Sequence, residues 1–279
     1  MGFVINNNLA ANNSYRNLNA TQTDLSKSLE KLSTGLRINR AGDDAAGLSI
    51  SEGLKSQVTG SAQAARNAQD GISVIQTAEG GLTEVHSILQ RVRDLAVQAG
   101  NDSNNDDART AIATEVDALG KELTRIGDSS NFNTINLLDG SANLTFQVGA
   151  GSSTTNDQIS VDLTGANVKT IGTAITGLVA TGFATSGAAA ASIATIDTNI
   201  ATVSTERSKL GAAQNRLEHT IKTLNVAGEN LQAAQSRIAD VDMAQEMVKF
   251  TKANILSQAG TAMLAQANQS SQGVLSLLR

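Results

Sequence analysis

Ile196, Val203, Leu210, Leu217, Leu224, Leu231 and Ile238 recur at every seventh position without a miss, and Ile200 and Ile221 add contacts between them. Such a repeat keeps one apolar stripe of a helix facing a partner along its whole length, which is the condition for a coiled coil. At ~1.5 Å per residue, the segment 193–238 would extend roughly 70 Å. That is the length of a rod. No proline stands anywhere in the 279 residues to interrupt it.

Three other segments carry the same pattern. Ala11, Tyr15, Leu18, Leu25, Leu29, Leu32 and Leu36 alternate steps of four and three, with Gln22 as the polar exception. Ile75, Ala78, Leu82, Val85, Leu89, Val92, Ala96 and Ala99 do the same, and an Asp70–Gly71 turn is expected to open that helix. A shorter run holds Ala108, Ile112, Val116, Leu119, Leu123 and Ile126. Between the last two, Gly100 can stop one helix and the Asp/Asn cluster of 101–107 can cap the next. Four such seams need one another. The expected fold is mainly α: a long antiparallel coiled-coil bundle with paired N- and C-terminal helices and a small β-hairpin region. Leu217 and Leu224 are expected to bury against the helix carrying Val85–Val92.

The apolar share of the chain comes from Ala, Leu, Ile and Val, because Trp is absent and only five Phe and one Tyr are present. Small aliphatic residues suit close helix packing better than a globular core built on aromatic bulk. With no cysteine, disulfides and thiolate metal sites are excluded. A net charge of −5 argues against nucleic acid as a partner. No apolar run approaches the ~18 residues of a membrane span. The N-terminal stretch lacks the basic start and apolar centre of a cleavable signal, so export would need a dedicated machine.

Composition shifts across 141–192, where Asp157, Asp162 and Lys169 are the sole charges among Gly, Ser, Thr and Ala. Leu144–Val148 and Ile159–Leu163 alternate apolar and polar residues, as half-buried strands do, with a turn expected over 149–157. The tract 176–192 reads equally as a surface loop or as the start of the last long helix.

Chemistry finds little support. His86 and His219 each sit in a helical pattern without a second ligand at metal-binding spacing. Asp102–Asp106 begins like a calcium loop, but Asp107 stands where glycine makes the turn and Ala113 where a bidentate glutamate closes the site. Gly149-Ala-Gly151 lacks the third glycine and the following helix of a phosphate cradle. Asp43-Asp44 opens a helical stretch, where carboxylates favour the helix dipole. No cofactor, metal or catalytic residue is expected.

Arg37-Ile-Asn-Arg-Ala-Gly-Asp-Asp-Ala-Ala-Gly47, Ala65–Ile72 and Gln76–Gly80 resemble the N-terminal signature of bacterial flagellins. Ser236–Asp242, Gln258–Thr261, Leu264–Asn268 and Val274–Arg279 resemble the flagellin C-terminus through the last residue. The likeness covers 1–140 and 195–279, with Ser270-Ser271 where flagellins often carry a proline.

The resemblance implies an extracellular filament subunit, exported unfolded by the flagellar type III apparatus. Its implied partners are further copies of itself, an export chaperone, cap and hook-associated proteins, and the host flagellin-sensing Toll-like receptor. Neither nucleic acid nor membrane is expected. Residues 1–42 and 240–279 would form a terminal inner-core domain, disordered until assembly, and 43–239 the rod. Leu18, Leu25, Leu29, Val274, Leu275, Leu277 and Leu278 would meet other subunits in the filament core. Arg91, Leu95 and Glu115 match the family's receptor contacts. The alternatives are a hook–filament junction protein with flagellin-like ends, a flagellin with a catalytic insert, and an intracellular coiled-coil adaptor. The insert has no histidine and almost no carboxylates, and an adaptor would not explain both terminal signatures.

Overall fold

The computed structural model describes the backbone of residues 8–277 and the side chains of residues 8–269. Its helices are α1 (Leu9–Thr34), α2 (Ala45–Ala99), α3 (Asp106–Ser129), α4 (Val168–Leu178), α5 (Ser186–Ala239) and α6 (Met243–Leu277). Four short strands lie between α3 and α4: β1 (Asn131–Phe132), β2 (Ile135–Asn136), β3 (Asn143–Gln147) and β4 (Gln158–Asp162). The chain forms two compact units, one of residues 1–56 with 230–279, the other of residues 57–229.

In the first unit, Asn8 starts α1 by accepting the Ala11 N–H on its side chain. Gly35 ends it in the left-handed conformation (φ 73°), which a residue without Cβ adopts freely. Leu36 therefore falls outside the helix, contrary to the sequence ladder. α1 runs antiparallel to α6: Ser28 bonds Glu246, while Asn8 near the other end bonds the Ala267 carbonyl. Asp44 caps α2 by accepting from the Gly47 N–H. Asp43 accepts from the Asn39 and Arg40 N–H groups, bonds that hold its carboxyl below the usual range.

The second unit holds the large core. Every member of the α2 ladder from Ile75 to Ala99 is buried, as are Ile112, Val116 and Leu123 of α3 and Ile196, Val203, Leu210 and Leu217 of α5. Arg93 meets Asp197 at 2.6 Å and Glu79 meets Arg207 at 2.7 Å, so stepping back along α2 goes with stepping forward along α5. The pair is antiparallel. This register corrects one expectation: Leu217 packs on Gly71, not on Val85–Val92, which lie toward the Ile196 end. Leu224 is only half-buried. The expected turn at Asp70–Gly71 is absent because α2 runs straight through it. A Cβ on Gly71 would sit 3.2 Å from Leu217 Cδ1 and 3.2 Å from Phe146 Cγ, so glycine is there for close approach.

The expected hairpin is present as β3–β4, with Leu144 opposite Val161 and Phe146 opposite Ile159. Two elements escaped the sequence reading. β1 and β2 close a tight hairpin through Asn133 (φ 48°) and Thr134 (φ 67°). Helix α4 takes Asn167 as its cap and buries Val168, Ile171 and Ile175. It meets α3 backbone to backbone: a Cβ on Gly172 would lie 2.7 Å from the Thr124 nitrogen. The tract 176–192 divides, ending α4, turning around buried Phe183, and starting α5 at Ser186.

Candidate functional site

The terminal pair is the natural place to look, because its helices have more apolar surface than their mutual contact covers. On α1, the side facing α6 is Ala11, Ser14, Leu18, Thr21, Leu25, Ser28 and Leu32, all at least half-buried. Among the ladder residues, Tyr15 (57% exposed) and Leu29 (58%) point elsewhere. Tyr15 and Leu29 share one outward side of α1, and Leu9 (69% exposed) lies on another. Leu18 and Leu25 thus belong first to the intramolecular seam, whereas Leu29 is free to meet a neighbour.

The matching side of α6 is Glu246, Phe250, Ala253, Ser257, Gly260, Leu264 and Ala267, again at steps of four and three. Small residues let the two helices approach: a Cβ on Gly260 would lie 3.2 Å from Leu18 Cδ1. Glu246 is buried in this seam. Burial pushes its carboxyl up, but hydrogen bonds from Ser28 Oγ (2.7 Å) and Lys249 Nζ (3.0 Å), with attraction from Lys249 and Lys31, leave it below the ordinary value. It is therefore charged at neutral pH. No apolar ladder was read over this stretch of the sequence, and Glu246, a carboxylate, gives no apolar signal.

On the opposite side of α6, Met247, Val248, Ile255, Leu256 and Met263 are each about half exposed or more. Ala244, Met247, Val248, Thr251, Lys252, Ile255 and Leu256 line one open, largely apolar groove. Their spacing repeats at helical period, a signal present in the sequence and passed over there. Val274, Leu275, Leu277 and Leu278 lie outside the described side chains.

Of the seven expected α5 seam residues, Ile196, Val203, Leu210 and Leu217 are buried, while Leu224, Leu231 and Ile238 are half-buried. On α2, in the second unit, Val85, Leu89 and Val92 are fully buried. Arg91 and Glu115 are exposed and bonded to each other at 2.8 Å across α2 and α3. Leu95, expected beside them as a receptor contact, is 2% exposed and belongs to the core. Three residues after Val92 and next to Ala96, it falls on the buried side of α2 although the ladder read from the sequence passed it by.

Among the described residues, nothing resembles a reaction centre. Among the described residues no group of three or more His, Cys, Asp and Glu could hold a metal. His86 shares its Nε2 with the Gln90 amide, and His219 lies on the surface. No described helix is long and apolar enough to cross a membrane.

Residues 5–143 match the bacterial flagellin N-terminal helical region, and residues 193–278 match the bacterial flagellin C-terminal helical region. The chain belongs to the bacterial flagellin family. A flagellin of Halalkalibacterium halodurans is 54% identical over 277 residues, covering 99% of this chain and 100% of that one. The flagellin of Bacillus subtilis is 49% identical over 305 residues, with 99% of each chain covered. A flagellar filament 33 kDa core protein of Treponema phagedenis is 45% identical over 293 residues, covering 99% and 100%. This flagellin is accordingly a structural subunit of the extracellular flagellar filament and not an enzyme.

Proposed function

We propose that this flagellin polymerises through the outward stripes of its terminal pair, and that polymerisation completes the folding of that pair. The exposed row Met247, Val248, Ile255, Leu256 and Met263 carries the reading. Contiguous apolar surface of this kind marks an interaction site, and a head-to-tail contact that does not close grows a filament. Leu9, Tyr15 and Leu29 of α1, with Val274, Leu275, Leu277 and Leu278 at the C-terminal end, are the further residues assigned to contacts between subunits. Isolated helices are marginal in water, and ordering costs ~1–2 kcal/mol per residue in backbone entropy. Neighbouring copies supply the missing surface.

Electron microscopy of the purified protein polymerised alone tests the reading. The wild type should grow long filaments, Ile255→Asp should not, and both should show the same melting of the second unit. Short assemblies from the wild type would instead point to a hook–filament junction role. Protease should trim monomers toward 43–239 and spare filaments, and deleting 240–279 should abolish growth.

The absence of cysteine and proline suits export in an unfolded state through the type III apparatus, with a chaperone on the apolar stripe of α6 beforehand and cap and hook-associated proteins as neighbours afterwards. For the host receptor, the reading narrows to Arg91 and Glu115, which are exposed; Leu95 is not available. Arg91→Ala should weaken activation of receptor-bearing cells while leaving the monomer folded, and an inert wild type would remove this role.

A further inference from the structure

Three of the four methionines of this chain, Met243, Met247 and Met263, stand on α6, and the fourth, Met1, lies outside the described residues. Residues 57–229 contain none, so the large core is built without a thioether. The chain also has no cysteine and no tryptophan. Its most readily oxidised side chains are therefore these few sulfurs.

All three methionines of α6 are about half exposed or more. Met247 lines the open groove with Val248, Ile255 and Leu256. At about 100° per residue, Met247 and Met263 fall on opposite flanks of the side centred on Val248 and Ile255. An unbranched thioether adapts its shape to what packs on it, which suits a stripe that must fit a neighbouring copy. The same sulfur carries lone pairs open to an oxidant.

We propose that Met247 and Met263 are oxidation sites of the free subunit, at which a hydroperoxide blocks joining to the filament. This rests on the assembly reading above and adds a chemical control to it. A sulfur lone pair attacks one peroxide oxygen; the S–O bond forms, the O–O bond breaks, and the remaining oxygen leaves as water after taking up the proton. Sulfur loses two electrons and hydrogen peroxide gains them, giving one sulfoxide and one water. The new oxygen is a strong acceptor on what was an apolar stripe. Moving it from water into an apolar contact is unfavourable. Both sulfurs are open to solvent before assembly whether or not α6 has formed, and a neighbouring copy covers them afterwards. Two-electron reduction by a thiol-dependent methionine sulfoxide reductase restores the thioether.

Purified monomer treated with dilute hydrogen peroxide, then freed of oxidant, tests this. Peptide mass spectrometry reads each methionine, and light scattering follows growth on filament seeds. Met247 and Met263 should both oxidise, and the concentration needed for growth should rise at least about tenfold. Reductases for both sulfoxide epimers, with dithiothreitol, should return it to the untreated value. The double variant Met247→Leu, Met263→Leu should grow like the wild type and continue to do so after peroxide, although Met1 and Met243 still oxidise. In preformed filaments Met247 and Met263 should oxidise at least about tenfold more slowly than in the monomer. Undiminished growth of oxidised wild type, loss of growth by the treated leucine variant, or equal oxidation rates in monomer and filament would each overturn the proposal. Should the leucine variant not grow untreated, recovery of the wild type by the reductases upholds the proposal and lack of recovery overturns it. Growth indifferent to oxidation removes this proposal alone, whereas an untreated wild type that cannot grow removes the assembly reading with it.

Discussion

Replacing Leu217 by alanine tests the packing of the second unit where the structure and the sequence disagree. Leu217 is fully buried, with Gly71 and the Phe146 ring close by. The substitution removes three carbons, at ~0.8 kcal/mol each in transfer terms, or about 2.4 kcal/mol. The cavity adds to this because Gly71 has no side chain to move into it and α2 is continuous there. A loss of about 3–4 kcal/mol follows, inside the range for buried Leu→Ala changes. For a unit of this size that lowers Tm by roughly 6–16 °C. Half-buried Leu224→Ala should cost clearly less, and exposed Lys222→Ala at most about 0.5 kcal/mol. Urea unfolding of the monomer, followed by circular dichroism, measures all three. The sharper arm is Gly71→Ala with Leu217→Ala. A methyl at 71 is tight against both Leu217 and Phe146 in the wild type and is relieved of the Leu217 contact in the variant, so the double change should cost at least about 0.5 kcal/mol less than the two single changes together. Additive costs, or a Leu217→Ala variant as stable as Leu224→Ala, would refute the Gly71–Leu217 contact and return Leu217 to the Val85–Val92 region.

The β1–β2 turn holds Thr134 at φ 67°, a left-handed conformation that costs a β-branched residue about 1–2 kcal/mol; Thr134→Gly should recover about half of that after its own entropy loss, read as a higher Tm. Arg109, buried, donates to the Ala99 carbonyl at the end of α2 and to the Asn101 carbonyl at 3.2 Å. Its replacement by alanine should cost about 2–3 kcal/mol by leaving a helix end unmet, measured by urea unfolding. Glu246 is held below the ordinary glutamate value in the folded pair, so its contribution is complete above that value and is lost as pH falls through the lowered one. The groups facing it are Ser28, Lys31 and Lys249; filaments of Glu246→Gln should accordingly lose the acid-dependent part of their dissociation, followed by light scattering.

The long helices were legible because a sustained heptad depends on nothing outside the helix. Both ends of the α5 ladder show the limit of that signal. It gave spacing but not register, and the register came from Arg93–Asp197 and Glu79–Arg207, pairs no local pattern announces. Asp70–Gly71 reads as a turn in isolation; the pressure of Leu217 and Phe146 makes the glycine a packing residue instead. Helix α4 went unread because Gly172 and Gly177 depress its propensity, although Val168, Ile171 and Ile175 have helical spacing. β1–β2 was too short to show alternation and lacks the Asn-Gly pair that marks such turns. On the terminal pair, the ladder placed Leu18, Leu25 and Leu32 on the seam but also counted Tyr15 and Leu29, which are exposed. The surface between α1 and α6 sets Leu18, Leu25, Leu32, Phe250 and Leu264 among hydroxyls, glycine, alanine and one carboxylate, while Tyr15 and Leu29 face outward.

Residues 37 and 239 are joined by a backbone bond, so the chain between them departs from and returns to a single point. An enclosed excursion of this kind can be lengthened without altering its endpoints. Residues 151–156, in the exposed turn between β3 and β4, are where added sequence would disturb least. The length of the middle of this flagellin is accordingly one that the Arg37–Ala239 bond leaves free to vary.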